Sequence, residues 1–424
     1  MDQSNLAFDP SCMDEYDPNS LPVDEALRRI DSGLTPITGV ERVGIRDALG
    51  RVLAEPVNTP IDVPSHTNSA MDGYALAAAS VAMQGQPISL AVVGTSWAGR
   101  PFKGNVGPGQ CARIMTGGVM PLGTDTVVIQ EHVKADGDEA LFEPEGVTAG
   151  DNVRAAGEDL AAGSLVLAAG KRIGPAELGM LASVGVVEVW VRRRLRVAFF
   201  STGDELRSLG QSLDAGSVYD SNRYTLYGML TRLGAEIIDM GVVPDQREAV
   251  QQAFVDASNN ADAVITSGGV SVGEADFVKE TLEAQGQVNF WKIAMKPGRP
   301  LAFGRVRDAV FFGLPGNPVS VMVTYYQFVQ PALRRMMGEL DTRPPRIRVR
   351  CGERLKKRSG RVEFQRGILN VGANGEMFVT STGGQGSGIL SSMHAANCFI
   401  VLSMENEGVE PDELVDVEPF FGVI

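Results

Sequence analysis

The stretch from Ala309 to Gln330, AVFFGLPGNPVSVMVTYYQFVQ, constrains the fold more than any other. Ala309 to Phe312 is a short apolar run of strand character, and Gly313-Leu314-Pro315-Gly316-Asn317-Pro318 is a turn. The apolar spacing that follows is helical, with Pro318 suited to a first helical position. A strand, tight loop and helix start presents backbone amides at the positive end of a helix, where an oxyanion can be held without any lysine.

Comparable junctions recur upstream. Leu195 to Phe200 reads as a strand running into Ser201-Thr202-Gly203-Asp204-Glu205-Leu206, and Asp220-Ser221-Asn222 opens a helix to about Leu233, capped by Asp220 or Ser221. Glu236 to Val242 and Ala261 to Thr266 read as strands, Gln246 to Ala257 and Phe277 to Gln285 as helices. This alternation predicts a parallel α/β sheet with helices on both faces. In such sheets ligands sit beyond the carboxyl ends of strands, so the turns at Thr202-Gly203, Ser267-Gly268-Gly269 and Gly313 to Pro318 share one address.

At 424 residues the chain is too long for one ordinary core, and a multidomain α/β protein is expected. Residues 1–20 read as a flexible, polar and acidic leader. Pro22 to Leu34 has helical spacing closed by Gly33, and Gly44 to Leu53 predicts a second helix with Ile45, Ala48 and Leu49 as its packed stripe. Pro60 to Ala75 is a long polar loop. Its Asp72 reads by spacing alone as a turn or cap carboxylate, while Gly73 beside it would let backbone approach a ligand closely. From Pro87 to Phe142, short strands between glycine turns predict a small, mainly antiparallel sheet. Gly157-Glu158-Asp159-Leu160 is a charged turn, ordinarily a solvated connection, whose two carboxylates make it a second place to hold a metal or orient a water. Pro175 to Ser183 is helical, and after Pro331 the alternation in IRVR and RVEFQRG predicts a small β domain. The expected divisions are an N-terminal scaffold of 21–58 with 144–190, an inserted β-rich domain 59–143, the α/β domain 191–338 and a C-terminal β domain 339–424.

The formal charge of −14 argues against long-range attraction to nucleic acid. Asp341 to Arg366 nevertheless holds ten Lys or Arg against three acidic residues, and Met404 to Glu418 holds seven acidic residues and no basic one. Such opposed runs are ordinarily solvated faces; the basic one could also guide an anion or pair with the acidic tail. Cys12, Cys111, Cys351 and Cys398 form no CxxC pair, so neither a structural zinc nor a secreted disulfide framework is expected. MDQSNLAFDP has no basic start or apolar core of a signal peptide, and no apolar run is long enough to span a membrane, so a cytoplasmic protein is expected.

The strongest chemical signal is SGGVSVGEAD, residues 267–276, together with GLPGNPVS, residues 313–320. Ser267, Gly268, Gly269 and Ser271 offer amides and hydroxyls to an oxyanion, and Gly273 permits close approach before Glu274 and Asp276. Neither stretch is a Walker A motif or a GxGxxG fingerprint, so a P-loop ATPase and an ordinary NAD site are poor readings. Asp204, Glu205, Asp220, Asp245, Glu274 and Asp276 surround the loops in chain order. Carboxylates repel a phosphate unless a cation lies between them, which implies Mg²⁺ on oxygen ligands, although several, Asp220 most clearly, can equally be helix caps. Lys292 and Lys296 would share a crevice-facing strand side if the strand runs on to Lys296.

These residues carry a family resemblance. NSAMDGYA at 68–75, MTGG at 115–118, GEDL at 157–160, STGDEL at 201–206, YDSN at 219–222, SGGVSVGEAD at 267–276, KPGRP at 296–300 and GLPGNPVS at 313–320 resemble, in order, the motifs of the MoeA family of molybdopterin molybdenumtransferases. The resemblance runs from about Leu21 to the C-terminus. It implies insertion of molybdenum into the dithiolene of molybdopterin, with adenylylated molybdopterin and molybdate as substrates, Mg²⁺ as cofactor and AMP released. It also implies an elongated homodimer whose active cleft joins the α/β domain of one subunit to the Asp72 domain of the other. A molybdopterin adenylyltransferase and molybdoenzyme-maturation proteins are the implied partners. Carried over residue by residue, it assigns Asp72, Thr116, Asp159, Glu205, Asp245 and Asp276 to the catalytic cleft, with Lys292 and Lys296 beside the anionic ligands. Glu205, Asp245 and Asp276 are the implied metal ligands. Gly203, Asp220 and the 267–273 loop are implied in substrate binding, with Pro315, Gly316, Asn317 and Pro318 shaping their loop and Ser387 approaching from the last domain. Another adenylate-using transferase, favoured by AMP release without molybdenum insertion, and a scaffold protein that binds without turnover are the alternatives.

Overall fold

The computed structural model describes residues 19–81, 87–268 and 277–420. The chain forms two compact units, a smaller one from residues 42–49 and 53–191 and a larger one from the residues up to 41, 50–52 and those from 192 onward.

Helix α1 (Val23–Ser32) belongs to the larger unit, and Val23, Ala26 and Ile30, three and four positions apart, form its buried face. The second helix expected at Gly44 to Leu53 does not form. The amides of Asp47 and Ala48 fold back onto the Gly44 and Ile45 carbonyls as consecutive turns, and Gly50 ends them at φ 76°. Leu53 and Ala54 then donate to the carbonyls of Lys171 and Trp190. Partners that distant in sequence override the local helical spacing, and Leu49 is left 51% exposed.

The main sheet of the smaller unit contains β1 (Gly73–Leu76), β2 (Ile88–Ser96), β3 (Gln110–Ile114), β4 (Thr126–Ile129), β5 (Val133–Asp136) and β6 (Glu139–Phe142). Their order is β4-β1-β3-β2-β6-β5, with β2 and β3 parallel and the other neighbours antiparallel. Helix α2 (Pro175–Ser183) buries Leu181 in a second cluster with Ala48, Leu53, Ile173 and Val191.

The larger unit holds β7 (Arg196–Thr202), α3 (Ser221–Leu233), β8 (Glu236–Val243), α4 (Arg247–Asn260), β9 (Ala263–Ser267), α5 (Phe277–Gln285), β10 (Gly286–Lys292), β11 (Pro300–Val306) and β12 (Ala309–Leu314). The sheet order is β8-β7-β9-β12-β11-β10, and the first four strands are parallel. Val197, Phe199, Ile265 and Phe312 face the cluster that includes Leu226 and Leu230 of α3, while Ala198, Phe200, Val264 and Phe311 face Val250, Phe254 and Ala257 of α4. Burial on both faces explains why AVFF is an unbroken apolar run. Two further strands extend the expected parallel sheet in antiparallel fashion. Only Arg307 and Asp308 separate β11 from β12, a link that can join antiparallel strands but cannot carry a crossover.

Beyond β12, α6 (Pro318–Thr324) runs through a π-helical stretch, Tyr325–Val329, into α7 (Gln330–Met336). The chain then closes a barrel from β13 (Ile347–Cys351), β14 (Val362–Val371), β15 (Met377–Ser381), β16 (Cys398–Leu402) and β17 (Leu414–Pro419). The circuit is β14-β15-β13-β17-β16 and back to β14. The two opposed charge runs meet there as cross-strand partners: Arg346 contacts Glu418 at 2.8 Å and Arg348 contacts Asp416 at 3.1 Å across antiparallel β13 and β17. They are therefore not independent solvated faces. The exposed Arg348–Asp416 pair contributes at most about 1 kcal/mol, so its value lies in favouring this register.

Candidate active site

The carboxyl ends of β7, β9 and β12 open into a cavity of about 550 Å³. Gly203 after β7, Gly268 after β9, and Pro315, Gly316 and Asn317 after β12 all line it. Met295 to Pro300, Ser320 of α6, and Arg361, Gln385 and Ser387 of the barrel region also contribute to the lining.

The sequence shapes these loops through close packing. Gly268 has φ +89°, and a Cβ on it would lie 2.6 Å from the Thr202 carbonyl oxygen, so the turns after β7 and β9 can pass this closely only with glycine. Asn222, in the first turn of α3, donates its amide nitrogen to Ser267 Oγ at 2.8 Å and to the Gly316 carbonyl at 2.7 Å. It thereby ties the end of β9 to the loop after β12. Asp220 caps α3 by accepting from the Arg223 amide at 3.0 Å. It is 3% exposed, its Oδ2 is buried with no hydrogen-bond partner among the described residues, and it is not among the residues lining the cavity.

The helix start after GLPGNP is less bare than its sequence predicts. The Val319 amide donates to the Ser387 carbonyl at 3.0 Å, and Asn317 Nδ2 donates to Ser387 Oγ at 2.9 Å. A barrel loop thus occupies part of the expected anion cradle. Positive charge in the cavity comes instead from the side chains of Lys296, Arg299 and Arg361. Lys292 and Lys296 do not share a strand face: β10 ends at Lys292, and Met295-Lys296 pairs with Val362-Glu363. Lys296 lines the cavity, whereas Lys292 is exposed and is not among the lining residues.

Glu205 and Asp245 also line the cavity. Asp245 is pushed above the ordinary carboxylate range, first by burial and then by repulsion from Asp204 and Glu205. A pair of hard oxygen donors under mutual repulsion fits a divalent cation of the Mg²⁺ type. Among the described residues no group of three or more His, Cys, Asp or Glu side chains converges as a metal site. Asp276 lies outside the described residues, as do Gly269, Ser271 and Gly273.

The smaller unit carries the other expected residues. Asp72 Oδ1 accepts from both the amide and the hydroxyl of Thr116, each at 2.7 Å. The amide and then the hydroxyl hold its carboxyl below the usual range, with the Arg113 charge assisting. Asp159 is exposed in its turn, where its amide donates to the Val63 carbonyl at 2.9 Å. Gly73, expected to admit a ligand, has a different role. It lies in β1 between β3 and β4, and a Cβ there would overlap the Val128 carbonyl oxygen.

Sequence reasoning singled out neither Arg299, Arg361 nor Gln385. Arg299 lies within the KPGRP motif, a signal that was available. Arg361 sits in the basic run, where nothing local separates it from surface arginines.

The comparisons cover the same parts of the chain. Residues 21–185 match the MoeA N-terminal region (domain I and II), 198–335 a probable molybdopterin binding domain, and 348–420 the MoeA C-terminal region (domain IV). The molybdopterin molybdenumtransferase of Haemophilus influenzae is 44% identical over 401 residues, 94% of this chain and 98% of that one. A protein of the same name from a Nostoc species is 39% identical over 371 residues, 86% of this chain and 85% of its own. The crystal structure of the molybdopterin biosynthesis moeA protein from Pyrococcus horikoshii superposes with a TM-score of 0.83 at 30% identity, covering 95% of this chain and all of that one, 100%. Similarity that extends through the N-terminal, binding and C-terminal regions alike cannot come from a shared sheet alone, and the chain belongs to the MoeA family of molybdopterin molybdenumtransferases.

Proposed function

We propose that this protein inserts molybdenum from molybdate into the dithiolene of adenylylated molybdopterin, releasing AMP, as a step of molybdenum cofactor biosynthesis. The observation that carries this reading is one cavity, at the carboxyl ends of parallel strands, holding both Lys296, Arg299 and Arg361 and the Glu205–Asp245 pair. The cations suit the oxyanions molybdate and phosphate, and the carboxylates suit a Mg²⁺ ion.

In the proposed reaction an oxygen of molybdate or of water attacks the adenylate phosphorus, and the bond from phosphorus to the oxygen of the pterin's terminal phosphate breaks. The attacking oxygen leaves in AMP, its bond to molybdenum or to a proton being broken, while the two dithiolene sulfurs take the places of the oxygens that molybdenum gives up. Glu205 and Asp245, with Asp276, would hold Mg²⁺, which when bound would screen the phosphate from the carboxylates. Lys296, Arg299 and Arg361 stabilise negative charge that grows during transfer, and Lys292 steers anions from the approach. Glycine-lined turns at Gly203, Gly268 and Gly316 let the substrate approach backbone closely. Ser267 and Asp220 act indirectly: Ser267 Oγ accepts from Asn222, which also holds Gly316, and Asp220 caps the helix that carries Asn222. In a homodimer, the Asp72–Thr116 corner and Asp159 of one subunit would complete the cleft of the other.

No described helix is long and apolar enough to cross a membrane. The proposed enzyme is cytoplasmic, receiving its substrate from a molybdopterin adenylyltransferase and passing its product to molybdoenzyme-maturation proteins. The test is AMP release from adenylylated molybdopterin and Mg²⁺, with and without molybdate, while the pterin product is assayed for molybdenum. Molybdate-dependent release with one molybdenum gained per turnover is expected. Release indifferent to molybdate would leave a hydrolase or a transferase with another acceptor.

A further inference from the structure

Arg366 is among the largest fully buried side chains in the molecule, 1% exposed, on the face of β14 that carries Phe364 and pairs with Phe399, away from the barrel's own apolar cluster. Its Nε donates to Ser392 Oγ at 3.1 Å and its Nη2 to the Gly386 carbonyl at 3.1 Å. Its backbone joins the same loop: the Arg366 amide donates to Gln385 Oε1 at 2.8 Å, and its carbonyl accepts from Gln385 Nε2 at 3.1 Å and from the Thr382 amide at 3.0 Å. One residue therefore grips the segment TGGQGSG at both its base and its middle.

That segment has four glycines in seven residues, at 383, 384, 386 and 388, and all seven residues are at least partly exposed. Apolar burial cannot define its shape, and its glycines make ordering it entropically costly. Its conformation must come from polar ties. Its tip carries Gln385 and Ser387 into the cavity, where Ser387 also closes the start of α6 through Val319 and Asn317.

We propose that Arg366 is a positioning residue for the reaction, acting through the 382–388 loop to present Gln385 and Ser387 to the anionic substrate. It touches no substrate itself. The role in turnover rests on the transferase reading above; the structural half of the claim does not.

The test uses the full-length protein with Arg366→Lys, which keeps the charge but loses the fork, Ser392→Ala, which removes the Nε acceptor together with that hydroxyl's bond to the Ile389 carbonyl, Ser387→Ala, and the double variant Arg366→Lys/Ser387→Ala. Backbone hydrogen exchange is read at 382–388 and at the Val319 amide, with turnover measured alongside. Faster exchange confined to those amides in Arg366→Lys and Ser392→Ala is expected, with kcat lowered on the order of tenfold to a hundredfold for Arg366→Lys. The double variant should lose less than the product of the two single losses, because the part of the Arg366 effect that runs through the Ser387 hydroxyl is already gone. Unchanged exchange in the loop overturns the proposal. So does multiplicative loss in the double variant, which would mean that Arg366 acts by another route. Should Arg366→Lys fail to fold, Ser392→Ala decides on the exchange data alone. A protein with altered exchange but no transferase activity in the wild type would refute the reaction and leave the loop clamp standing.

Discussion

Asp72 and Asp245 are both expected site carboxylates, and the protein treats them in opposite ways. Two donors from Thr116 hold Asp72 ionised, and no neighbouring acid raises it. Asp245 is raised by burial and by Asp204 and Glu205. A carboxylate supplied with donors is built to stay charged and accept. One crowded by other acids is built to receive a cation. The smaller unit thus holds a carboxylate with its donors in place and the larger unit one left under repulsion; under the proposed function the first would act as a fixed acceptor and the second would take a divalent ion.

The largest effect should come from removing the unfinished site. Glu205→Gln with Asp245→Asn should reduce AMP release on the order of a hundredfold or more at saturating Mg²⁺, and should abolish the dependence of thermal stability on Mg²⁺. Retention of that Mg²⁺-dependent stabilisation would show that the ion sits elsewhere. Asp72→Asn comes next. It should lower kcat by about a hundredfold while leaving Mg²⁺ binding by calorimetry unchanged, and a loss of Mg²⁺ affinity would erase the distinction between the two carboxylates. Gly268→Ala should cost roughly 1–3 kcal/mol in denaturant unfolding, because its φ of +89° and the nearby Thr202 carbonyl both reject a side chain.

The smallest effect is also the most diagnostic. Thr116→Val removes the hydroxyl and keeps the amide, which is the larger cause of the lowered Asp72 pKa. The pKa read by carboxyl NMR should therefore rise yet stay below the ordinary carboxylate range. A group lowered in the folded state adds stability at pH above its unfolded value and loses it as pH falls through the folded one. The acid limb of stability and of turnover should accordingly move to higher pH in Thr116→Val. A movement to lower pH, or a pKa that rises to the full ordinary value, would contradict the arrangement.

Much of the larger unit was legible because its signals are local. AVFF followed by GLPGNP encodes a doubly buried strand and a turn within ten residues, and Asp220 is followed by the helix it caps. The failures have one physical origin. Gly44 to Leu53 has helical spacing, but Lys171 and Trp190 supply backbone acceptors at its end that no window on the sequence includes. Lys292 and Lys296 look like one strand until Met295-Lys296 finds Val362-Glu363 as its partner.

The strand and helix order of the α/β domain, the glycine turns at the carboxyl ends of its strands and the family were determined by the sequence alone. They depend on spacing, capping and φ, properties carried by neighbouring residues. Tertiary structure alone decided that Ser387 closes the α6 start, that Arg361 leaves its basic run for the cavity, that Asp72 meets Thr116, and that Asp245 is raised while Asp72 is lowered. Each is a contact or field between residues far apart in the chain, and only packing sets such distances.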